Sequence, residues 1–445
     1  MTGYYFQLAF RNLRHNPGLT ALMIGAVALG IAICVMTLTM YRAMSGNPIW
    51  WKNDVLYAVT MDTWDPNRPD NERHPDRPPP QLTYRDATAL FASDIPLRKV
   101  IMHKAMAVLL AEDAGTKPMR ALTRVTTADF FKMFDVPFLY GGGWSAEADR
   151  GPEPVLVLSK ATNDKLFGGI NSVGRQVRWN DREFRVVGVL DRWLPLPTFY
   201  DLNNGNLEEG EGVFIPFGWS VAAELPSAGN TNCWKPEQIN SFQDFVGSEC
   251  VWIQMWAELP DATTRDRMQH FIDNYAQEQK KAGRYPRPLN NRLTPVDKWL
   301  VDNDVVSNDD RVLVGLAFAF LAVCLLNTVG LLLAKFLNNA AITGVRRALG
   351  ASRRQVFLQH LVEVGVISTI GSIGGLLLGA LMLAGLRALY TVDPTDLGGT
   401  QALAHVDVGS VVTALALAMF ATIAAGLYPA WRIGRIPPAV YLKSQ

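Results

Sequence analysis

The chain has 445 residues, is 49% hydrophobic and 19% charged, and carries a formal net charge of +1. A balance this close to neutral leaves no basic excess to pair with phosphates, which argues against a nucleic-acid partner. With 4 cysteines it is no disulfide-stapled miniprotein, and its apolar content excludes a disordered chain.

Residues 1–18 open with a helical pattern. Over 4–14 the spacing puts Tyr5, Phe6, Ala9, Phe10 and Leu13 on one face, with Arg11 and Arg14 opposite or flanking. That layout fits an amphipathic helix lying along a membrane surface. Residues 19–41 then contain no Asp, Glu, Lys or Arg, and about 20 residues of helix cross a bilayer core. The run is longer than the roughly 7–15 apolar residues of a signal peptide, and Tyr41-Arg42-Ala43-Met44 is a poor cleavage site, so it reads as an uncleaved anchor.

Residues 42–310 are mixed in composition and have the size of one or two globular domains. Trp50 and Trp51 suit an interfacial aromatic belt. The proline-rich stretch 69–80 is a loop. A helix is expected over 83–91, a buried strand over 155–158, and a helix over 160–167 that Gly168 and Gly169 end. Strands at 176–179 and 184–190 flank Asn180-Asp181 as a hairpin. The run 213–216 ends in Pro216 and is expected at a sheet edge, since proline donates no ladder bond. A strand over 251–259 and a helix over 262–281 complete an α+β order. Cys233 and Cys250 both fall here, so they are either two free thiols or, in an oxidising compartment, a disulfide.

Three more runs free of acidic and basic residues, 312–334, 364–386 and 408–431, define spans at 311–335, 358–388 and 408–431. Orientation follows from their flanks. Arg11 and Arg14 precede the first span, Lys335, Arg346, Arg347, Arg353 and Arg354 bracket the segment 336–357, and Arg432, Arg435 and Lys443 lie in the tail 432–445. The loop 389–407 carries Asp393, Asp396 and Asp407 instead. The excess of positive charge puts both termini and 336–357 in the cytoplasm, and 42–310 outside. The expected fold class is therefore an α-helical membrane protein with a four-span, 1+3 transmembrane domain and a large α+β extracytoplasmic domain between spans one and two.

Within the spans, small residues recur at helical spacing: Ala26 and Gly30, then Gly315 and Ala319, then Gly371, Gly375 and Gly379. Such steps let helices approach closely. Asn327 is expected to need an interhelical hydrogen bond, Glu363 to pair with Arg353 or Arg354, and Cys34 and Cys324 to serve as small packing residues. No span carries an ionisable group at mid-depth, which argues against ion-coupled transport. The motifs G-x-x-x-x-G-K-[ST], H-E-x-x-H and G-x-S-x-G do not occur. His15, His74, His103, His270, His360 and His405 are scattered without metal-ligand spacing, so catalysis, a bound metal and a cofactor in this chain are not expected.

The segment 338–360 (NNAAITGVRRALGASRRQVFLQH) reads as a short helix stopped by Gly350, followed by a new start capped by Ser352. GVRRALGASRRQVFLQHLVE followed by GSIGGLLLG resembles the FtsX-like/MacB-like (type VII) ABC-transporter permease family, as does the tail YPAWRIGRIPPAVYLK. In the exported stretch, TTADFFKMFDVPFLYGGGW, PVLVLSKATNDKLFGG, NSVGRQVRWNDREFRVVGVL and VFIPF resemble the MacB-like periplasmic core. The N-terminal FRNLRHNPGLTALMIGAVALGIAI matches as well.

The resemblance implies a permease subunit in the cell inner membrane, paired with a second copy or a paralogue. Its periplasmic domain has an inserted β-rich part, placed here at about 218–250. Two ATPase subunits, which hold ATP and magnesium, would grip Ile342, Gly344, Val345, Arg346, Arg347, Ala348, Leu349 and Gly350. The chain starts at the amphipathic helix, so that ATPase is expected to be separate. Members commonly read R-E-I-G ahead of the arginine pair, whereas this chain has Ile342 in place of the acidic residue. That departure favours either altered coupling or a partner permease that retains the carboxylate. The implied activity is mechanotransmission that exports a peptide, drug or lipid-linked molecule, with a periplasmic adaptor and an outer-membrane duct. The alternatives are an FtsX-like transmitter controlling a cell-wall hydrolase and a lipoprotein-extracting permease.

Overall fold

The computed structural model describes residues 2–111, 117–205, 210–305, 308–338, 344–345 and 349–390, with isolated positions between 412 and 431. It divides into a helical unit, which includes Met1–Ala43 and Val306–Val392, and an α/β unit, Met44–Val305.

In the helical unit, α1 (Thr2–His15) stops at Asn16, and Pro17 begins α2 (Pro17–Ser45). Proline suits a first helical turn because its missing N–H would have no partner there. The Thr20 hydroxyl donates to the Leu13 carbonyl at 3.1 Å and ties the two helices across the break. The face expected on α1 is split in two. Ala9 and Leu13 are buried against the unit, while Phe6 and Phe10 stand exposed beside Arg11 and Arg14. The remaining long helices are α11 (Asn308–Asn338) and α12 (Arg353–Tyr390). Among the described residues three helices, over Pro17–Arg42, Asp310–Asn338 and Arg353–Gly385, are long and apolar enough to cross a membrane. The fourth expected span, 408–431, lies outside the described residues apart from isolated helical positions.

The α/β unit runs from a short 3-10 turn at Trp50–Lys52 into β1 (Leu56–Thr60), α3 (Tyr84–Phe91), β2 (Arg98–Leu110) and β3 (Met119–Thr126). It continues through α4 (Asp129–Met133), β4 (Phe138–Gly141), α5 (Ala146–Arg150), β5 (Val155–Leu158) and α6 (Lys160–Phe167). Then come β6 (Gln176–Trp179), β7 (Arg182–Leu190), a 3-10 segment Phe199–Asn204, β8 (Val213–Pro216), α7 (Trp219–Ala222) and α8 (Phe242–Gly247). Last are β9 (Gln254–Glu258), α9 (Ala262–Lys281), β10 (Arg292–Pro295) and α10 (Val296–Asp302). The sheet order is β10-β1-β9-β2-β3-β8-β5-β7-β4, and β6 pairs with both β2 and β7. Strands β2, β3, β8, β5, β7 and β6 therefore close into a ring.

Both sheet faces are covered. Tyr57, Val59, Leu156, Leu158, Val213, Ile215, Met255 and Ala257 enter one core with Leu90 of α3 and Met268 and Ile272 of α9. The alternate residues Leu56, Ala58, Val155, Val157, Phe214 and Trp256 enter a second, aromatic core with Phe130, Phe134, Phe199, Tyr200 and Trp299. This period of two, buried on both sides, is why the strands read as plain apolar runs.

Local signals explain several elements. Thr83 caps α3, Ser159 caps α6, and Gly168 ends α6 at φ 66°. Asn180 turns the β6–β7 hairpin at φ 54°, and its side-chain oxygen accepts from Val108 N at 2.9 Å, which seats the turn on β2.

Three expectations are corrected. Strand β8 is interior, parallel to β3 and antiparallel to β5. Pro216 is tolerated because it is the last residue of the strand. The strand expected over 251–259 is shorter, with β-bridges from Val251 and Ile253 ahead of β9. Finally, 218–250 is not β-rich: its described elements are the short helices α7 and α8 and one bridge, Asn232 to Val251.

Candidate functional site

The segment between α11 and α12 begins where the apolar character of α11 ends at Lys335. Gly344 is buried and Val345 exposed, and the Leu349 N–H donates to the Val345 carbonyl at 3.0 Å, closing one helical turn. Leu349 is 84% exposed, an apolar side chain held outward. Gly350 stops the turn at φ 104°, a conformation that β-carbon-bearing residues resist. Ser352 and Gln355 then form a reciprocal cap: Gln355 N donates to Ser352 Oγ at 3.2 Å and Ser352 N to Gln355 Oε1 at 2.9 Å. Arg353 and Arg354 are exposed on the first turn of α12, while Ile342, Arg346, Arg347 and Ala348 lie outside the described residues.

The carboxylate of Glu363 does not pair with Arg353 or Arg354. Ten residues of helix separate Glu363 from Arg353, about 15 Å along the axis, and Glu363 faces α11 instead. Its partner is Lys335, Nζ to Oε1 at 2.6 Å, with side chains 0% and 1% exposed. Lys335 had counted only as a topology charge. The overlooked signal is that it ends an apolar run and sits opposite a carboxylate that begins one.

The small residues divide by helix. A β-carbon on Gly371 would lie 2.8 Å from Val27 Cγ1, and one on Gly375 2.8 Å from Ile31 Cβ and 2.9 Å from the Ala28 carbonyl. One on Gly379 would meet Ala32 and Val35. These ascending pairs mean that α12 runs parallel to α2. Gly30 approaches Leu321 and Cys324, while Cys34 Sγ donates to the Ala317 carbonyl at 3.3 Å, so α11 runs antiparallel to α2. Ala26 is half-buried on α2, and Cys324, like Cys34, is buried between helices.

Gly315 has nothing within 4 Å of its β-position, and Gly315, Ala319 and Asn327 are exposed. Among the described residues Asn327 has no interhelical hydrogen bond. Asn327 lies beside the inward row Leu321, Cys324 and Thr328, on a side of α11 that no described helix covers.

In the α/β unit, polar groups fix geometry. Lys104 and Arg124 stand opposite each other on β2 and β3, an arrangement that needs counter-charge. Asp201 and Glu211 supply it. Arg124 Nη2 lies 2.7 Å from Asp201, and Arg124 Nε donates to Glu211 at 2.9 Å, with every side chain at most 2% exposed. Burial works against the Glu211 carboxylate, but Arg124 and Lys104 outweigh it and hold its pKa below the ordinary glutamate value. The Tyr200 hydroxyl donates to Glu211 at 2.8 Å, and burial beside that carboxylate pushes its pKa well up.

A second knot joins Arg284 to Asp86 at 2.9 Å and to Glu249 at 2.7 Å, next to a Cys233–Cys250 disulfide with S–S at 1.95 Å. His103 is buried; its Nδ1–H donates to the Lys104 carbonyl at 3.1 Å and Nε2 accepts from Ser220 Oγ at 2.9 Å. Burial lowers its pKa to about 3. Among the described residues no three His, Cys, Asp or Glu side chains are grouped as a metal site.

Comparison with known proteins supplies the context. Residues 20–274 match the MacB-like periplasmic core domain and residues 314–438 the FtsX-like permease C-terminal region. The macrolide export ATP-binding/permease protein MacB of Syntrophobacter fumaroxidans is 23% identical over 72% of this chain and 46% of its own length. The protein of the same name from Azoarcus is 22% identical over 98% of this chain and 59% of its own length. The chain thus spans about half the length of these curated relatives. The crystal structure of the periplasmic region of MacB from Actinobacillus actinomycetemcomitans aligns with a TM-score of 0.36 at 11% identity, over 58% of this chain and 96% of that one.

Proposed function

Because the chain belongs to the family with a MacB-like periplasmic core domain and an FtsX-like permease C-terminal region, we propose that it is the permease subunit of an ATP-driven exporter working by mechanotransmission. In this reading it sits in the inner membrane with both termini in the cytoplasm and the α/β unit in the periplasm. A partner ABC ATPase, holding ATP and magnesium, grips the segment 342–350 and moves α11 and α12, and the α/β unit follows. The substrate is a peptide, drug or lipid-linked molecule, passed to a periplasmic adaptor and an outer-membrane duct. The observation that carries the reading is the order of the two matched regions, each beginning within a helix of membrane-crossing length.

Two structural features support the partners. Leu349, exposed at a capped turn between two membrane-length helices, is the kind of apolar knob a docking groove accepts. Gly315, Ala319 and Asn327, exposed on α11 among the described residues, suit a second permease, whose helix could approach the small residues closely and offer Asn327 a hydrogen bond. The test is charge reversal, Arg346→Glu with Arg347→Glu, in the full chain co-expressed with its neighbouring ATPase. The ATPase is expected to be lost on purification while membrane insertion is kept. Normal co-purification would refute the grip.

A further inference from the structure

The buried ion pair between Lys335 and Glu363 has a close companion. The Phe336 and His360 rings meet at 4.1 Å between centroids, and His360 Nδ1 lies 3.7 Å from the second Glu363 oxygen. Two consecutive residues of α11 therefore meet two residues one turn apart on α12. One contact would leave the helices free to roll about it, whereas two on adjacent positions fix both separation and roll. Leu332, Val356 and Val364 surround these contacts, and Ala9 and Leu13 of α1 enter the same cluster.

Physical chemistry limits what such a pair is for. Taking two charges out of water costs about as much as their attraction returns, so a buried pair adds little stability over apolar residues of the same shape. What it adds is intolerance of displacement, since a slip leaves two unmatched charges in a low-dielectric site. Its place in the chain is specific. Lys335 lies in the last turn of α11 and Glu363 in the third turn of α12, where the chain leaves one helix and enters the other.

Resting on the reading of 342–350 as the ATPase grip, we infer that Lys335 and Glu363 are positioning residues that lock the end of α11 to the start of α12. A push on the segment between them then turns both helices as one lever. Neither residue touches nucleotide or substrate.

The experiment uses the full-length chain in lipid nanodiscs, with spin labels on cysteines introduced at the exposed positions Leu337 and Leu358. The parent chain gives one narrow distance. Glu363→Gln and Lys335→Met each leave a charge unmatched and broaden it, and Lys335→Arg keeps it narrow. The decisive variant is the paired Lys335→Met with Glu363→Leu, which removes both charges and still fills the space. It is expected to keep the parent Tm, to broaden the distance, and to cut stimulation of the co-purifying ATPase by about tenfold.

A paired variant with a narrow distance, or with full ATPase stimulation, overturns the inference. So does Lys335→Arg behaving like Lys335→Met. Failure of the underlying reading looks different: the parent chain then captures no ATPase, while the distance measurement, which needs none, still decides whether the lock exists.

Discussion

The α/β unit and the helical unit bury charge for different ends. In the α/β unit, Lys104, Arg124, Asp201 and Glu211 gather two positive and two negative groups at the sheet, and Tyr200 adds a hydrogen bond. That network ties the 3-10 segment at Phe199–Asn204 and the approach to β8 onto the central strands, and its members are buried. In the helical unit the described contacts include glycine against branched side chain and the buried Lys335–Glu363 pair at the end where α11 leads into α12. The first arrangement makes a rigid body. The second lets helices pack closely and holds the end of α11 against the start of α12.

Breaking the network should have the largest effect. Arg124→Met leaves two buried carboxylates, Asp201 and Glu211, with Lys104 as the one positive group of the network, and a loss of about 3–5 kcal/mol is expected, read from denaturant unfolding of the full chain by tryptophan fluorescence. Close behind comes the acid response of His103. Burial, aided by the charge on Arg124 and opposed by the bond to the Lys104 carbonyl, lowers its pKa from 6.5 to about 3. Between those values the unfolded chain binds a proton that the folded chain does not, so this residue's contribution to stability is lost as pH falls from 6.5 toward 3. His103→Gln should flatten that limb of the stability–pH curve, and an unchanged limb would show that another group sets it.

Replacing Cys233 and Cys250 together by Ser should cost about 3 kcal/mol, because the crosslink no longer restrains the unfolded loop. Calorimetry that leaves the α/β transition in place would contradict this. In the helical unit, Gly375→Leu places a side chain against Ile31 and the Ala28 carbonyl, and a loss of roughly 1–3 kcal/mol is expected in the thermal transition in detergent. The mildest change sharpens the contrast. A β-carbon on Gly315 meets nothing within 4 Å among the described residues, so with Gly315→Leu Tm should hold while the dimer fraction in light scattering falls. An unchanged dimer fraction would remove α11 from the permease–permease contact.

Elements with local signals were legible in the sequence. Thr83, Ser159 and Gly168 announce α3 and α6 by capping chemistry, and Asn180 announces the hairpin by its tolerance of positive φ. The long strands β2 and β3 were not legible, because Lys104, His103 and Arg124 break their apolar character. Lys104 and Arg124 are buried with Asp201 and Glu211, far along the chain, as counter-charges, and His103 is buried uncharged against the Lys104 carbonyl and Ser220. Pro216 misled for a related reason: its missing donor costs nothing at a strand end, and the sequence does not say which neighbours that strand has. In the candidate site, Gly350 and Ser352 could be read as stop and cap. The pairing of Glu363 is easily misread, since the nearest arginines in sequence lie along the same helix, whereas the packing of α11 on α12 selects Lys335.

Sidedness tests the account most directly. Single cysteines at Leu97 in the α/β unit and at Val345 between α11 and α12, both exposed, would be probed with a membrane-impermeant maleimide in intact spheroplasts. The account predicts that Leu97→Cys labels at once and that Val345→Cys labels only after the membrane is opened. Labelling in the opposite order would contradict it.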